Sequence, residues 1–172
     1  TSLNRSQADF FMREGLKTFP SRFPLLWKIH IISLDEKLLG IYQSLFPTSV
    51  VSSICAVPIS ELSDFPHEEE VLLRGPFFQV INFYQEGMIE EKPLSVIEVV
   101  MLNSNRDHPS TAELGENDSL ARNIFGNIVG IRRNKFCLDY CKVNALEDDA
   151  NAYYKKLEEN NRQFEKLIEI SS

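Results

Sequence analysis

The sequence predicts an α+β domain of mostly antiparallel strands over residues 1–105, a connection over 106–119 and a helical tail over 120–172. Three observations predict it. Leu25 to Ile32 alternates in character as a half-buried strand should, and Ser95 to Leu102 alternates again and is rich in β-branched residues. Several strands follow a single amphipathic helix, the pattern of the carboxyl-terminal half of a mixed domain. Beyond about Asn103 the apolar residues recur only at helical spacing.

Taken in order, residues 4–17 read as a helix capped by Asn4 or Ser6, with Ala8, Phe11 and Gly15-Leu16 on its apolar side. Pro20 and Pro24 end it. In the strand that follows, Leu25, Trp27, Ile29 and Ile31 take the buried face and Lys28 and His30 the other. His30 reads as a strand histidine facing solvent or a satisfied neighbour rather than as a base. Asp35 to Thr48 forms a short helix and connection, with Leu38, Leu39, Tyr42 and Leu45-Phe46 at helical spacing. Ile59 to His67 is a loop. Arg74-Gly75-Pro76 is a turn signal, Phe77 to Phe83 a strand, and Gln85 to Pro93 a polar connection around Gly87.

Asn103 to Ser119 is rich in Asn, Asp, Ser, Pro and Gly, the composition of a linker. Past it, Ala121, Ile124, Phe125, Ile128 and Val129 form one helical stripe, and Phe136, Tyr140 and Val143 a second. Tyr153, Leu157, Phe164, Leu167 and Ile168 form a third.

Composition excludes several classes. With 43% hydrophobic residues and 12 Phe among 172, the chain buries a real core rather than staying disordered. A net charge of −7, with no block of Lys and Arg to offset it, argues against nucleic acid as a partner. No apolar run is long enough to form a transmembrane segment. Cys55, Cys137 and Cys141 complete no zinc pattern and read as buried thiols.

One stretch does not read as simple structure. Glu68-Glu69-Glu70 stands directly before the apolar run Val71-Leu72-Leu73, after Phe65 and Pro66. If Glu68 begins a strand through Leu73, Glu68 and Glu70 share a face roughly 7 Å apart while Glu69 faces away. Carboxylates that close divide into one that accepts a proton and one that stays ionised beside a developing positive charge. The competing reading is a solvated acidic gatekeeper that keeps the following strand from aggregating.

The run Phe65-Pro66-His67-Glu68-Glu69-Glu70-Val71-Leu72-Leu73, followed by Phe78-Gln79-Val80, resembles the E-x-E signature of arginine-specific mono-ADP-ribosyltransferases. Thr1-Ser2-Leu3-Asn4 resembles the end of that family's S-T-S motif. The resemblance implies a partial ADP-ribosyltransferase-like domain that moves ADP-ribose from NAD to an arginine of a protein and releases nicotinamide. Glu70 would be the ionised carboxylate that holds the nicotinamide ribose 2′-hydroxyl, and Glu68 would orient the guanidinium and take its proton. Thr1 and Ser2 fall on the NAD-binding serine motif, in which Ser2 or the serine before it would hold the nicotinamide ribose. Phe65 matches an exposed aromatic that meets the protein substrate; the other reading of Phe65 is a ring tucked under the loop by Pro66. NAD enters as substrate, and the resemblance calls for no metal.

The chain departs from the family pattern in two ways. Ser2 and Glu70 stand 68 positions apart, farther than expected, with Tyr42 to Cys55 as the expected insertion. The upstream arginine motif that grips the NAD phosphates has no counterpart, so the chain, which opens at Thr1 inside a motif, is read as a fragment. Phe125-Gly126-Asn127-Ile128-Val129 with Asn134-Lys135-Phe136 resembles one degenerate tetratricopeptide repeat, against a plain pair of packing helices. A second functional class follows from that tail, an interaction module that keeps a relict transferase core and does no chemistry.

Overall fold

A computed structural model describes residues 1–51, 55–74, 78–104 and 116–171, the side chains of 116–118 excepted. The turn expected at Arg74-Gly75-Pro76 lies mostly outside these residues, as does the connection expected over 106–119 apart from its last residues, which begin a helix. The architecture is α+β, with four helices and two small sheets among the described residues. It divides into two compact units. One holds Thr1–Ile31 and Ile54–Met101, the other Ile32–Ser53 and Leu102–Ser172. Ile32–Ser53 thus groups with the helices of the second unit.

In the first unit, α1 spans Arg5–Thr18, and Asn4 caps it by accepting from the Ser6 amide at 3.0 Å. Its buried side is Ala8, Met12 and Leu16, spaced by four, against Leu26, Ile89, Leu94 and Val96. Phe11, expected on that side, is 55% exposed beside Phe10. The helix packs its i, i+4 row, and Phe11 falls one residue off it.

A three-stranded sheet holds β1 (Leu25–Ile32), β5 (Lys92–Leu102) and β4 (Gln79–Ile89) in the order β1-β5-β4. Ser95 donates to the Pro24 carbonyl and Asn103 to the Ile32 carbonyl, so the two chains advance together and β1 runs parallel to β5. β4 and β5 are antiparallel, with Ile89 opposite Lys92. The polar connection expected over 85–93 is therefore mostly strand. Its length is absorbed by a register shift between Gln85 and Met88, where Gly87 takes φ 60°, and by a two-residue turn at Glu90-Glu91.

The alternation read in β1 is present, but its faces are exchanged. Trp27 is 50% and Leu25 45% exposed, with Phe78 against Trp27 edge to face, while Lys28 and His30 lie on the side of buried Leu26. Their partner decides this, because Glu98 on the adjoining strand is 3% exposed and takes hydrogen bonds from both.

The second sheet pairs β2 (Ala56–Pro58) with β3 (Val71–Leu73), antiparallel, with Pro58 opposite Val71. It closes the loop between them at its base.

In the second unit, α2 (Glu36–Leu45) is capped by Asp35, which accepts from the amides of Lys37 and Leu38. α3 (Glu116–Val143) and α4 (Glu147–Ser171) form a hairpin. The turn between them ends α3 with a bond from the Leu146 amide to the Cys141 carbonyl and with Ala145 at φ 56°. The core joins Leu34, Tyr42, Ile124, Phe125, Ile128, Ile131 and Phe164.

No helix among the described residues is long and apolar enough to cross a membrane.

Candidate active site

The loop from Ile59 to Glu70 is held at its base by the β2–β3 ladder, and the Ile59 amide donates to the Glu70 carbonyl at 2.9 Å. Two turns of 3₁₀ helix, Ser60–Leu62 and Pro66–Glu68, occupy it. Proline at the first position of the second turn supplies the required φ and lacks only an amide that would be unpaired there.

Glu68 therefore does not begin a strand. It ends the second turn, Glu69 follows in the left-handed region at φ 49°, and extended pairing starts at Glu70. The expectation that strand alternation places Glu68 and Glu70 on one face is corrected by this geometry. The cause is local, because the Glu69 amide closes on the Pro66 carbonyl and reverses the chain before the ladder begins. Glu68 and Glu70 are both half-buried all the same, and Glu69 between them is exposed.

The amino-terminal residues lie along the other side of Glu70. Val71 donates to the Thr1 carbonyl at 2.6 Å and Leu3 to the Glu69 carbonyl at 2.9 Å, which makes Ser2 and Glu70 directly opposed without exchanging bonds themselves. In an antiparallel pair this is the position at which opposed side chains approach most closely. The Ser2 hydroxyl also contacts the Glu68 carbonyl and accepts from the Asn4 amide at 2.9 Å. Ser2 thus borders both glutamates, and Thr1 takes part through its backbone.

Phe65 is 55% exposed and meets the His67 ring edge to face at 6.3 Å, so the ring is not tucked beneath Pro66. Ser63, in the same loop, is the further polar side chain of the site. Its hydroxyl donates to Glu70 Oε2 at 2.5 Å and accepts from the Phe65 amide at 3.1 Å. A serine two residues before an amide it can bond is a turn signal, but its reach to a carboxylate seven residues on is visible only in three dimensions.

A second polar cluster lies on the three-stranded sheet. Glu98 Oε1 accepts from Lys28 Nζ at 3.0 Å and from the Tyr84 hydroxyl at 2.8 Å, and Oε2 stands 2.7 Å from His30 Nε2. Burial pushes this carboxyl up, but the hydrogen bonds from His30, Lys28 and Tyr84 and the Lys28 charge outweigh it and hold the carboxyl at about 2. His30 is thus a satisfied neighbour of a buried carboxylate.

The cysteines are buried thiols. Burial pushes Cys137 up to about 11, against an opposing hydrogen bond with Tyr153, and raises Cys55 and Cys141 as well. Among the described residues no group of three His, Cys, Asp or Glu is placed to hold a metal ion.

No family model, curated protein or solved structure matches the chain.

Proposed function

We propose that this chain supplies the glutamate half of a site that transfers ADP-ribose from NAD to an arginine side chain of a protein. The observation that carries the reading is the convergence on Ser2, which opposes Glu70 on one side and contacts the Glu68 main chain through its hydroxyl. Residues 66 positions apart in sequence meet there, and they are the ones in which the resemblance to the transferases resides.

In this reading the C–N bond between nicotinamide and ribose breaks, and nicotinamide leaves with the bonding electrons. The cation left on the ribose resembles that of glycoside hydrolysis. Ionised Glu70 holds the ribose 2′-hydroxyl and stabilises that cation across a short distance. A guanidinium nitrogen then attacks, and its proton passes to Glu68. Such proton transfer accelerates reactions by about 10² to 10⁴-fold. Ser2 keeps the two glutamates in register, and Phe65 offers an exposed ring to the acceptor protein. An upstream segment bearing the phosphate-gripping arginine belongs to the same proposal, so the assays are made in the chain that carries both.

Replacing Glu70 with Gln keeps shape and hydrogen bonding but removes the charge, so NAD cleavage falls by about 100-fold or more. Glu68→Gln spares slow hydrolysis of NAD by water and abolishes transfer to arginine, because only the guanidinium needs that carboxylate. Release of labelled nicotinamide and label on an arginine-rich acceptor separate the two. Undiminished NAD cleavage with Gln at position 70 would sink the mechanism. A chain inactive before any substitution would favour an interaction module built on a transferase relict.

A further inference from the structure

We propose that Ser63 is a positioning residue for Glu70, and that it ties the carboxylate to the loop segment that meets the acceptor protein. The proposal rests on the transferase reading of Glu70. It names a residue and a coupling that this reading does not contain.

A serine hydroxyl has one proton to give. Here it goes to Glu70 Oε2 at 2.5 Å, while the same oxygen accepts from the Phe65 amide at 3.1 Å. The three groups form one relay, from the Phe65 amide to the Ser63 hydroxyl to the Glu70 carboxylate. A hydroxyl polarised by an incoming N–H is a stronger donor, and a bond to a carboxylate is stronger than one between neutral groups. Among the described residues no donor reaches Glu70 Oε1, so the Ser63 hydroxyl is the one side-chain donor to this carboxylate there.

The fold holds one end of the relay, and the other end sits in the loop. Glu70 is pinned by the Ile59 amide on one side and by its opposition to Ser2 on the other, so its main chain cannot follow the loop. Phe65 sits at the start of the second 3₁₀ turn with its ring 55% exposed. Anything that docks on this ring and moves its amide therefore disturbs Ser63 before it disturbs the Glu70 backbone. The hydroxyl makes the orientation of the Glu70 carboxylate responsive to the occupancy of Phe65, and the partner this fits is an arginine-bearing protein surface with an apolar patch to cover the ring.

The test uses the chain that carries both halves of the site, with NAD hydrolysis and transfer to a protein acceptor measured for Ser63→Ala, Ser63→Thr and Glu70→Gln. Loss of a charge-assisted bond that orients a reacting group lowers kcat by about 10- to 100-fold. Ser63→Ala is expected to lose that much in kcat for NAD hydrolysis with KM for NAD within about threefold, and Ser63→Thr to recover most of it. In the Glu70→Gln background, Ser63→Ala should add no further loss, because the two act as one unit. Full activity of Ser63→Ala beside an inactive Glu70→Gln overturns the role of Ser63 and leaves the transferase reading standing. Full activity of Glu70→Gln overturns that reading itself. Equal loss in Ser63→Ala and Ser63→Thr, with a melting temperature lowered by several degrees in both, assigns Ser63 to folding and overturns the proposal.

Discussion

Glu98 pays for its burial through three donors on two neighbouring strands, and the sign of the resulting pH dependence follows from its position at about 2 against 4.5 for an unconstrained carboxyl. A depressed folded-state value means that the network stabilises the fold fully above about pH 4.5 and loses that contribution as pH falls towards 2. The amount is a few kcal/mol. Glu98→Gln removes the titration, so urea unfolding of the variant should show a smaller loss of stability between pH 5 and 2.5 and a lower stability at pH 7. An unchanged acid slope would mean that other carboxylates carry it. The same residue explains a misread strand. Trp27 and Leu25 outrank Lys28 and His30 on any hydrophobic scale, and nothing within β1 tells that the carboxylate both side chains bond lies about 70 residues on in a buried position.

At the scale of elements, stripes and alternations were legible because they depend only on neighbours in the chain; turns and faces set by distant contacts were not. The β4–β5 turn is built from Glu90 and Glu91 at φ 48° and 64°, where Asn-Gly is the usual solution. Each residue costs about 1 kcal/mol in that region, whereas the exposed Arg13–Glu90 ion pair at 3.2 Å returns less than that. Replacing the pair with Asn-Gly should therefore raise the melting temperature by a few degrees. Ala145, at φ 56° after α3, should behave likewise when changed to Gly, with a gain of about 0.5–1 kcal/mol in denaturant unfolding. Gly130 reverses the rule. It lies inside α3, where alanine gains about 1 kcal/mol by propensity. A Cβ there would stand 2.6 Å from the Asn160 side chain, which donates to Asn127 and accepts from Asn134. Two bonds among buried amides outweigh the propensity gain, so Gly130→Ala should destabilise by about 1–2 kcal/mol. A stabilised Gly130→Ala would show that Asn160 makes room for the added methyl without losing these bonds. In the candidate site, Ser2 and the glutamates were legible as types, but the left-handed Glu69 and the reach of Ser63 depend on the pairing of residues 1–3 with 69–71.

At the scale of the molecule, the chain passes between its units at Ile31/Ile32, Ser53/Ile54 and Met101/Leu102, so neither unit is one continuous segment. The linker-like composition after Asn103 suggested a tail that stands alone, because composition marks where a chain changes character and not which earlier residues return to pack with it. Tyr42 is the link that was missed. It is fully buried, meets Phe46 at a tilt and Phe125 edge to face with centroids 5.2 and 5.5 Å away, and bonds Ser49 through its hydroxyl at 2.6 Å. Deleting its ring leaves a cavity between α2 and α3, at a cost of about 3–5 kcal/mol, whereas Tyr42→Phe loses one bond worth about 1 kcal/mol. The sharper test is to cut the chain. Residues 102–172 alone keep the α3–α4 hairpin but expose Ile124, Phe125 and Ile128, which Leu34 and Tyr42 otherwise help to cover. That piece should be helical by far-ultraviolet dichroism yet bind a hydrophobic dye and melt broadly. Adding residues 32–53 as a peptide should sharpen the transition and suppress the dye signal. A hairpin that melts cooperatively without the peptide, and ignores it when added, would show that the helical tail is complete in itself and that α2 belongs with the strands.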